Sequence, residues 1–115
     1  AGHAVLAEAF GFEHFLLRAD KILIDGEDEW TPFQEASILW AGHVADTVVL
    51  RRFYNLNPLH FFILFEGRPK HSDGGRLLDL LKTHPLEVVQ AFRFARKQLM
   101  RKWDRVLELA QEFRH

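Results

Sequence analysis

The chain contains no cysteine. That excludes a disulfide framework, an iron–sulfur centre, a thiolate zinc site and a cysteine nucleophile. Serine is almost as scarce. Ser37 and Ser72 are the only two, and neither sits in a nucleophile-elbow sequence, so a serine hydrolase is disfavoured. No glycine-rich phosphate loop is present, and no His-x-x-x-His or His-Glu-x-x-His pair occurs. No apolar run approaches the ~20 residues of a membrane span, and no signal peptide is visible. The reducing cytoplasm is the expected compartment. Period-2 alternation, internal repeats and low-complexity tracts are also lacking.

What is present is an ordinary globular balance. The 115 residues are 48% hydrophobic and 27% charged, with eleven Phe and three Trp. One domain spanning residues 1–115 is expected, large enough to fold without a metal or a disulfide. Ala1-Gly2-His3 reads as a cloning scar or as the start of a segment within a longer protein. The net charge of −1 hides an asymmetry. Residues 1–66 carry ten acids against four bases, net −6, and residues 67–115 carry eleven bases against six acids, net +5. Either the basic half addresses an anionic partner, or the two halves are complementary faces within one molecule or across a dimer; the pI near 6.7 favours complementary faces.

The boundary signals are helical. Thr31-Pro32-Phe33-Gln34 is a capping box with Pro at the first helical position. Asn57-Pro58 and His84-Pro85-Leu86-Glu87 repeat the cap-then-Pro pattern. Gly67 to Lys70 and Asp73-Gly74-Gly75 mark turns. The spacing predicts helix A over 4–25, B over 32–55, C over 58–66, a short D over 74–82 and E over 85–113. The expected fold is all-α: an antiparallel bundle of four main helices and one short one.

Helix faces supply the candidate sites. Along E, residues Val89, Phe92, Arg96, Leu99, Trp103, Val106, Ala110 and Phe113 form a 3,4 seam with Arg96 in its middle. Arg96 therefore either snorkels to water or pairs inside the bundle with Glu13 or Asp46. Arg93, Lys97, Arg101 and Arg105 recur every four residues on the other side. They form a solvated face or a phosphate-tracking stripe. Helix B is apolar nearly all round, which places it centrally or at a dimer interface. Its polar pair His43 and Asp46, one turn apart, is a hydrogen-bonded core pair or a metal or ligand site. A di-iron bundle would need Glu-x-x-His pairs, and here the order is reversed: His43-x-x-Asp46 and His84-x-x-Glu87.

A longer pattern follows the Ala-rich helix from Gln34-Glu35-Ala36 to Leu50-Arg51-Arg52. It continues through Phe61-Phe62-Ile63-Leu64-Phe65, the Gly67-Arg68-Pro69-Lys70-His71-Ser72-Asp73 loop and Leu77-Leu78-Asp79-Leu80-Leu81. Over about residues 16–105 this order resembles the HEPN domains (higher eukaryotes and prokaryotes nucleotide-binding). The resemblance implies a homodimeric helical bundle, of a kind found among toxin–antitoxin ribonucleases and partners of small nucleotidyltransferases. Active members carry Arg-x4–6-His. Here seven residues separate Arg52 from His60 and Arg76 from His84, and two separate Arg68 from His71. The departure points to a non-catalytic role, with Arg52, His60 and His71 nearest the family's functional region. The expected function is a small, homodimeric interaction module for RNA or a nucleotide-handling protein, with no cofactor and no membrane. The alternative is a metal- or ligand-binding bundle built on His43 and Asp46.

Overall fold

Proline at the first helical position and a reciprocal cap make residue 31 an unambiguous helix start. The Gln34 backbone N–H donates to Thr31 Oγ1 at 3.2 Å, and the Thr31 N–H donates to Gln34 Oε1 at 3.0 Å. In the computed structural model, which describes residues 1–18, 21–49, 62–63 and 65–114, this cap opens the central helix. In chain order the elements are α1 (Gly2–Ala9), β1 (His14–Arg18), β2 (Lys21–Ile24), α2 (Pro32–Val49), α3 (Asp73–Thr83), α4 (Pro85–Arg101) and α5 (Trp103–Arg114). The fold is the helical bundle expected, with α2 lying against α1, α3 and α4. Among the described residues no helix is long and apolar enough to cross a membrane.

His14–Arg18 and Lys21–Ile24, expected to continue helix A, instead pair as antiparallel strands with His14 opposite Ile24 and Phe15 opposite Leu23. The reason lies at Gly11. Its φ of 79° is a left-handed conformation open to glycine, and it stops α1 directly after Phe10. The Phe12 N–H turns back to the Ala7 carbonyl at 2.8 Å, and Phe-Leu-Leu and Ile-Leu-Ile then pair as strands. Gly2 and His3 belong to α1. Gly2 is buried where a Cβ would meet the Ala41 carbonyl, so α1 crosses α2 at backbone contact.

Helix D begins one residue earlier than expected. Ser72 is its N-cap, its hydroxyl oxygen accepting from the Gly75 N–H at 3.1 Å and donating to the Pro69 carbonyl at 2.6 Å. Gly74 and Gly75 are therefore the first turn of α3, not a loop before it. A Cβ on Gly74 would lie 2.6 Å from the Phe65 ring, and one on Gly75 would strike the Pro69 carbonyl. Close approach selects these glycines. Pro85 starts α4 as expected, although the His84 side chain makes no capping hydrogen bond.

Helix E is two helices. Lys102, with φ −116° and ψ 31°, departs from helical geometry and separates α4 from α5. Burial follows Val88, Ala91, Phe92, Ala95 and Leu99, then Val106 and Leu109. The inward position expected of Arg96 is taken by Ala95, whose small side chain lets α4 sit close on α2. Arg96 is exposed, as is Glu13, so the expected pairing of these two inside the bundle does not form; the side chain of Asp46, the other expected partner, lies outside the described residues. Residues 50–61, which hold the end of helix B and the start of C, lie outside the described residues; Phe62, Ile63 and Phe65 are helical.

The core is organised on Trp40. It is fully buried, and its ring centroid lies 4.9 Å from Phe92, 5.5 Å from Phe62 and 5.9 Å from Phe65. Its indole N–H donates to the Val88 carbonyl at 2.9 Å. Trp40→Phe would remove that donor and leave a void beside Phe92. Urea unfolding of the variant is expected to show a loss of about 2 kcal/mol, with the same slope against denaturant as the parent.

Candidate functional site

Two polar regions of the bundle have defined geometry. The first joins the N-terminal ends of α1 and α3 across α2. His3 lies over Gly42, where any Cβ would collide with the imidazole. Its Nδ1 is 2.6 Å from the Ile38 carbonyl oxygen, and its Nε2 is 3.2 Å from Asp73 Oδ2. Both ring nitrogens thus face oxygen atoms. Asp73 occupies the first position of α3, where the helix dipole also favours a carboxylate. The hydrogen bond from His3 holds the Asp73 carboxyl below its ordinary value of 3.8 against the opposing effect of burial. The charges of His3, His43 and Arg76 act in the same direction as the hydrogen bond. His43 is half-buried with its ring centroid 4.6 Å from Phe65. Sequence spacing paired His43 with Asp46, whose side chain lies outside the described residues. Among the described residues the charge of His43 acts on Asp73, thirty positions on. Among the described residues no group of three or more histidine and carboxylate side chains is arranged to hold a metal ion.

The second region is the outer surface of α4. The buried face of this helix fixes the opposite side as solvent-facing. Arg93, Lys97 and Arg101 fall there at four-residue spacing, flanked by Arg96 and by Lys102 at the break, and all five are exposed. None of the five pairs with another described residue. Leu86 and Met100 are 64% and 53% exposed on the same side of the helix. The fourth expected member of the stripe, Arg105, is not part of it. The break at Lys102 turns α5 so that the Arg105 guanidinium reaches Glu8 of α1 at 2.9 Å and Glu108 at 3.0 Å. Glu8 Oε1 also lies 3.8 Å from His14 Nε2. Arg105 is a tie between α1 and α5, its guanidinium held by carboxylates rather than presented with the cations of α4.

The remaining candidates separate. Arg52 and His60 lie outside the described residues. His71 is exposed in the turn that precedes Ser72. Arg76 is engaged by Glu35 at 2.7 Å, pinning α3 to α2 beside an open cleft of about 420 Å3 that Asp79 and Lys82 also line. The His3–Asp73 contact was missed from sequence. The two residues are seventy positions apart, and only the Gly42 crossing brings them together.

No family model, curated protein or solved structure matches the chain.

Because the Asp73 carboxyl is held low, its contribution to stability is fully present above the unfolded value near 3.8. It is lost as pH falls through the lower folded value. Asp73→Asn should flatten the acid limb of the stability–pH curve. At pH 7 it should cost less than about 1 kcal/mol, since the pair is partly solvated. Thermal unfolding from pH 7 down to pH 2 checks both parts.

Proposed function

We propose that the protein is a non-catalytic interaction module whose α4 outer face binds RNA. The observation that carries the reading is the set of exposed cations on one helix face, Arg93, Arg96, Lys97, Arg101 and Lys102, with no described carboxylate neutralising them. Two arginines elsewhere on the molecule, Arg76 and Arg105, are by contrast committed to carboxylates. A phosphate backbone meets such a face through charge alone, with affinity that depends on salt and little on sequence. Arg93, Lys97 and Arg101 stand about 6 Å apart along the axis, close enough to act on one strand together.

The reading carries the HEPN-like resemblance with it. A central α2, the loop over 67–73 and the leucine-bearing α3 stand in the order on which that resemblance rests. On this reading the protein works in the cytoplasm, with RNA or a nucleotide-handling protein as partner. The apolar faces of α2 point to no dimer contact over the described span. Ala36, Ile38, Leu39, Trp40, Ala41, Val44 and Ala45 are already buried within one molecule.

The test is binding of a single-stranded RNA over a salt series. The parent should show a linear fall of log affinity with log salt. R93E/K97E/R101E should weaken binding on the order of tenfold or more, and the slope should fall in magnitude by about 2. Arg105→Ala should lower stability while leaving the slope unchanged. Equal affinity for the parent and the triple variant would remove α4 as the binding face.

A further inference from the structure

The flank of α4 that carries Lys97 and Arg101 also carries Phe94. With 3.6 residues per turn, Lys97 lies one turn on from Phe94, about 4.5 Å along the axis, and Arg101 lies two turns on along the same line. Phe94 does not stand there alone. Its ring stacks on Phe10, directly after α1, with centroids 5.4 Å and planes 21° apart, and it meets Phe33, in the first turn of α2, at 5.3 Å. Phe33 and Phe10 are 6.3 Å apart. The row continues through Phe12, 5.8 Å from Phe10, to Trp30, stacked 5.7 Å from Phe12. All five rings pack against the core and are half-buried, so each is anchored in the fold while part of its surface stays in water.

Charge divides this row into two ends. Asp28 and Glu29 directly precede Trp30, Glu13 follows Phe12, and the Trp30 indole N–H donates to the Asp25 carbonyl at 3.3 Å, so exposed acids surround that end. Glu87 lies two turns before Phe94 on the same side of α4. A phosphate strand is repelled at both places. The Phe94 end instead meets the exposed Lys97 and Arg101. Cations that follow a backbone, set beside rings with accessible π surface, are the two elements by which proteins hold single strands. Such ring surface serves an unpaired base, because a base inside a duplex already has neighbours on both faces.

We propose that the RNA held by α4 is single-stranded, with unpaired bases stacking on the Phe94–Phe10–Phe33 rings while its phosphates follow Lys97 and Arg101. The proposal rests on the RNA reading of α4 and adds to it the class of RNA and the residues that select it. The two contributions differ in kind. The cations act on phosphates and weaken with salt, whereas the rings act on bases and do so with little regard to base identity or salt. The acids around Trp30 and at Glu87 bound the site, so the bases seated on rings are those whose phosphates lie nearest Lys97 and Arg101.

Two probes with one backbone test this on the parent chain: a short oligouridylate and the same ribose–phosphate strand lacking its bases. The parent should bind the base-bearing strand more tightly by about fivefold or more, with the same dependence of log affinity on log salt for both. Phe94→Leu, checked for folding by circular dichroism, should bring the two affinities together at the value the parent shows for the strand without bases. Phe94→Tyr keeps an aromatic face and should preserve the difference. Equal affinity of the parent for the two strands overturns the proposal, as does a folded Phe94→Leu variant that still separates them as the parent does. The RNA reading is scored separately by the salt slope and by R93E/K97E/R101E. If the parent binds both strands equally and the triple variant still weakens binding, α4 remains the RNA face and the stacking fails. A parent that binds neither strand overturns both.

Discussion

A buried indole must find an acceptor for its N–H, and the way Trp40 does so determines how the bundle closes. The acceptor is the Val88 carbonyl, in the first turns of α4. A hydrogen bond at 2.9 Å from the middle of α2 fixes both the distance between the two helices and the rotation of α4 about its axis. With the rotation set, Phe92 meets the Trp40 ring edge to face, and Ala91 and Ala95 supply the small surfaces that permit the approach. The same ring sets the far wall. Phe65 packs on Trp40, and Gly74 of α3 is bare because Phe65 occupies the space a Cβ would need. Three helices are thus positioned by one side chain and its hydrogen bond.

The consequences reach the surface. Because Val88, Phe92, Ala95 and Leu99 are turned inward, Arg93, Lys97 and Arg101 are necessarily turned out. A rotation of one position would carry Arg96 into the core and bring Ala95 to the surface. Desolvating a guanidinium without a carboxylate is far costlier than exposing an alanine, so the observed phase is the one the core permits. The cationic face follows from aromatic packing on the other side of the same helix.

This also explains what could be read from the sequence and what could not. The Thr31–Gln34 cap, the Pro85 start and the centrality of α2 are local or compositional properties, and the structure realises each of them. The phase of α4 was ambiguous because Val88 and Val89, and Ala95 and Arg96, offer two apolar stripes one residue apart. The Trp40–Val88 contact and the cost of burying Arg96 choose between them. Residues 14–24 have apolar spacing compatible with a helix, and the hairpin prevails because Gly11 ends α1 in a left-handed turn. Asp73-Gly74-Gly75 reads as a turn by composition. Its glycines instead answer to Phe65 and Pro69, neighbours that no local rule could name. The His3–Asp73 clasp belongs to the same class, since it depends on a backbone crossing at Gly2 and Gly42.

The break at Lys102 divides the basic half of the chain into two populations. On α5, turned away from the line of α4, Arg105 finds Glu8 and becomes part of the scaffold, drawing α1 and the terminal helix together. On α4, the straight helix carries its cations past every described carboxylate. Had the helix continued unbroken, Arg105 would have extended the outer face and α1 would have lost its tie. The interruption thus separates cations that hold the fold from cations the fold leaves exposed. Surface charges that satisfy nothing inside a molecule contribute little to its stability and repel one another. Their concentration on one helix face, beside the exposed Leu86 and Met100, gives that face its physical character: cationic, and unsatisfied by any described carboxylate of the fold.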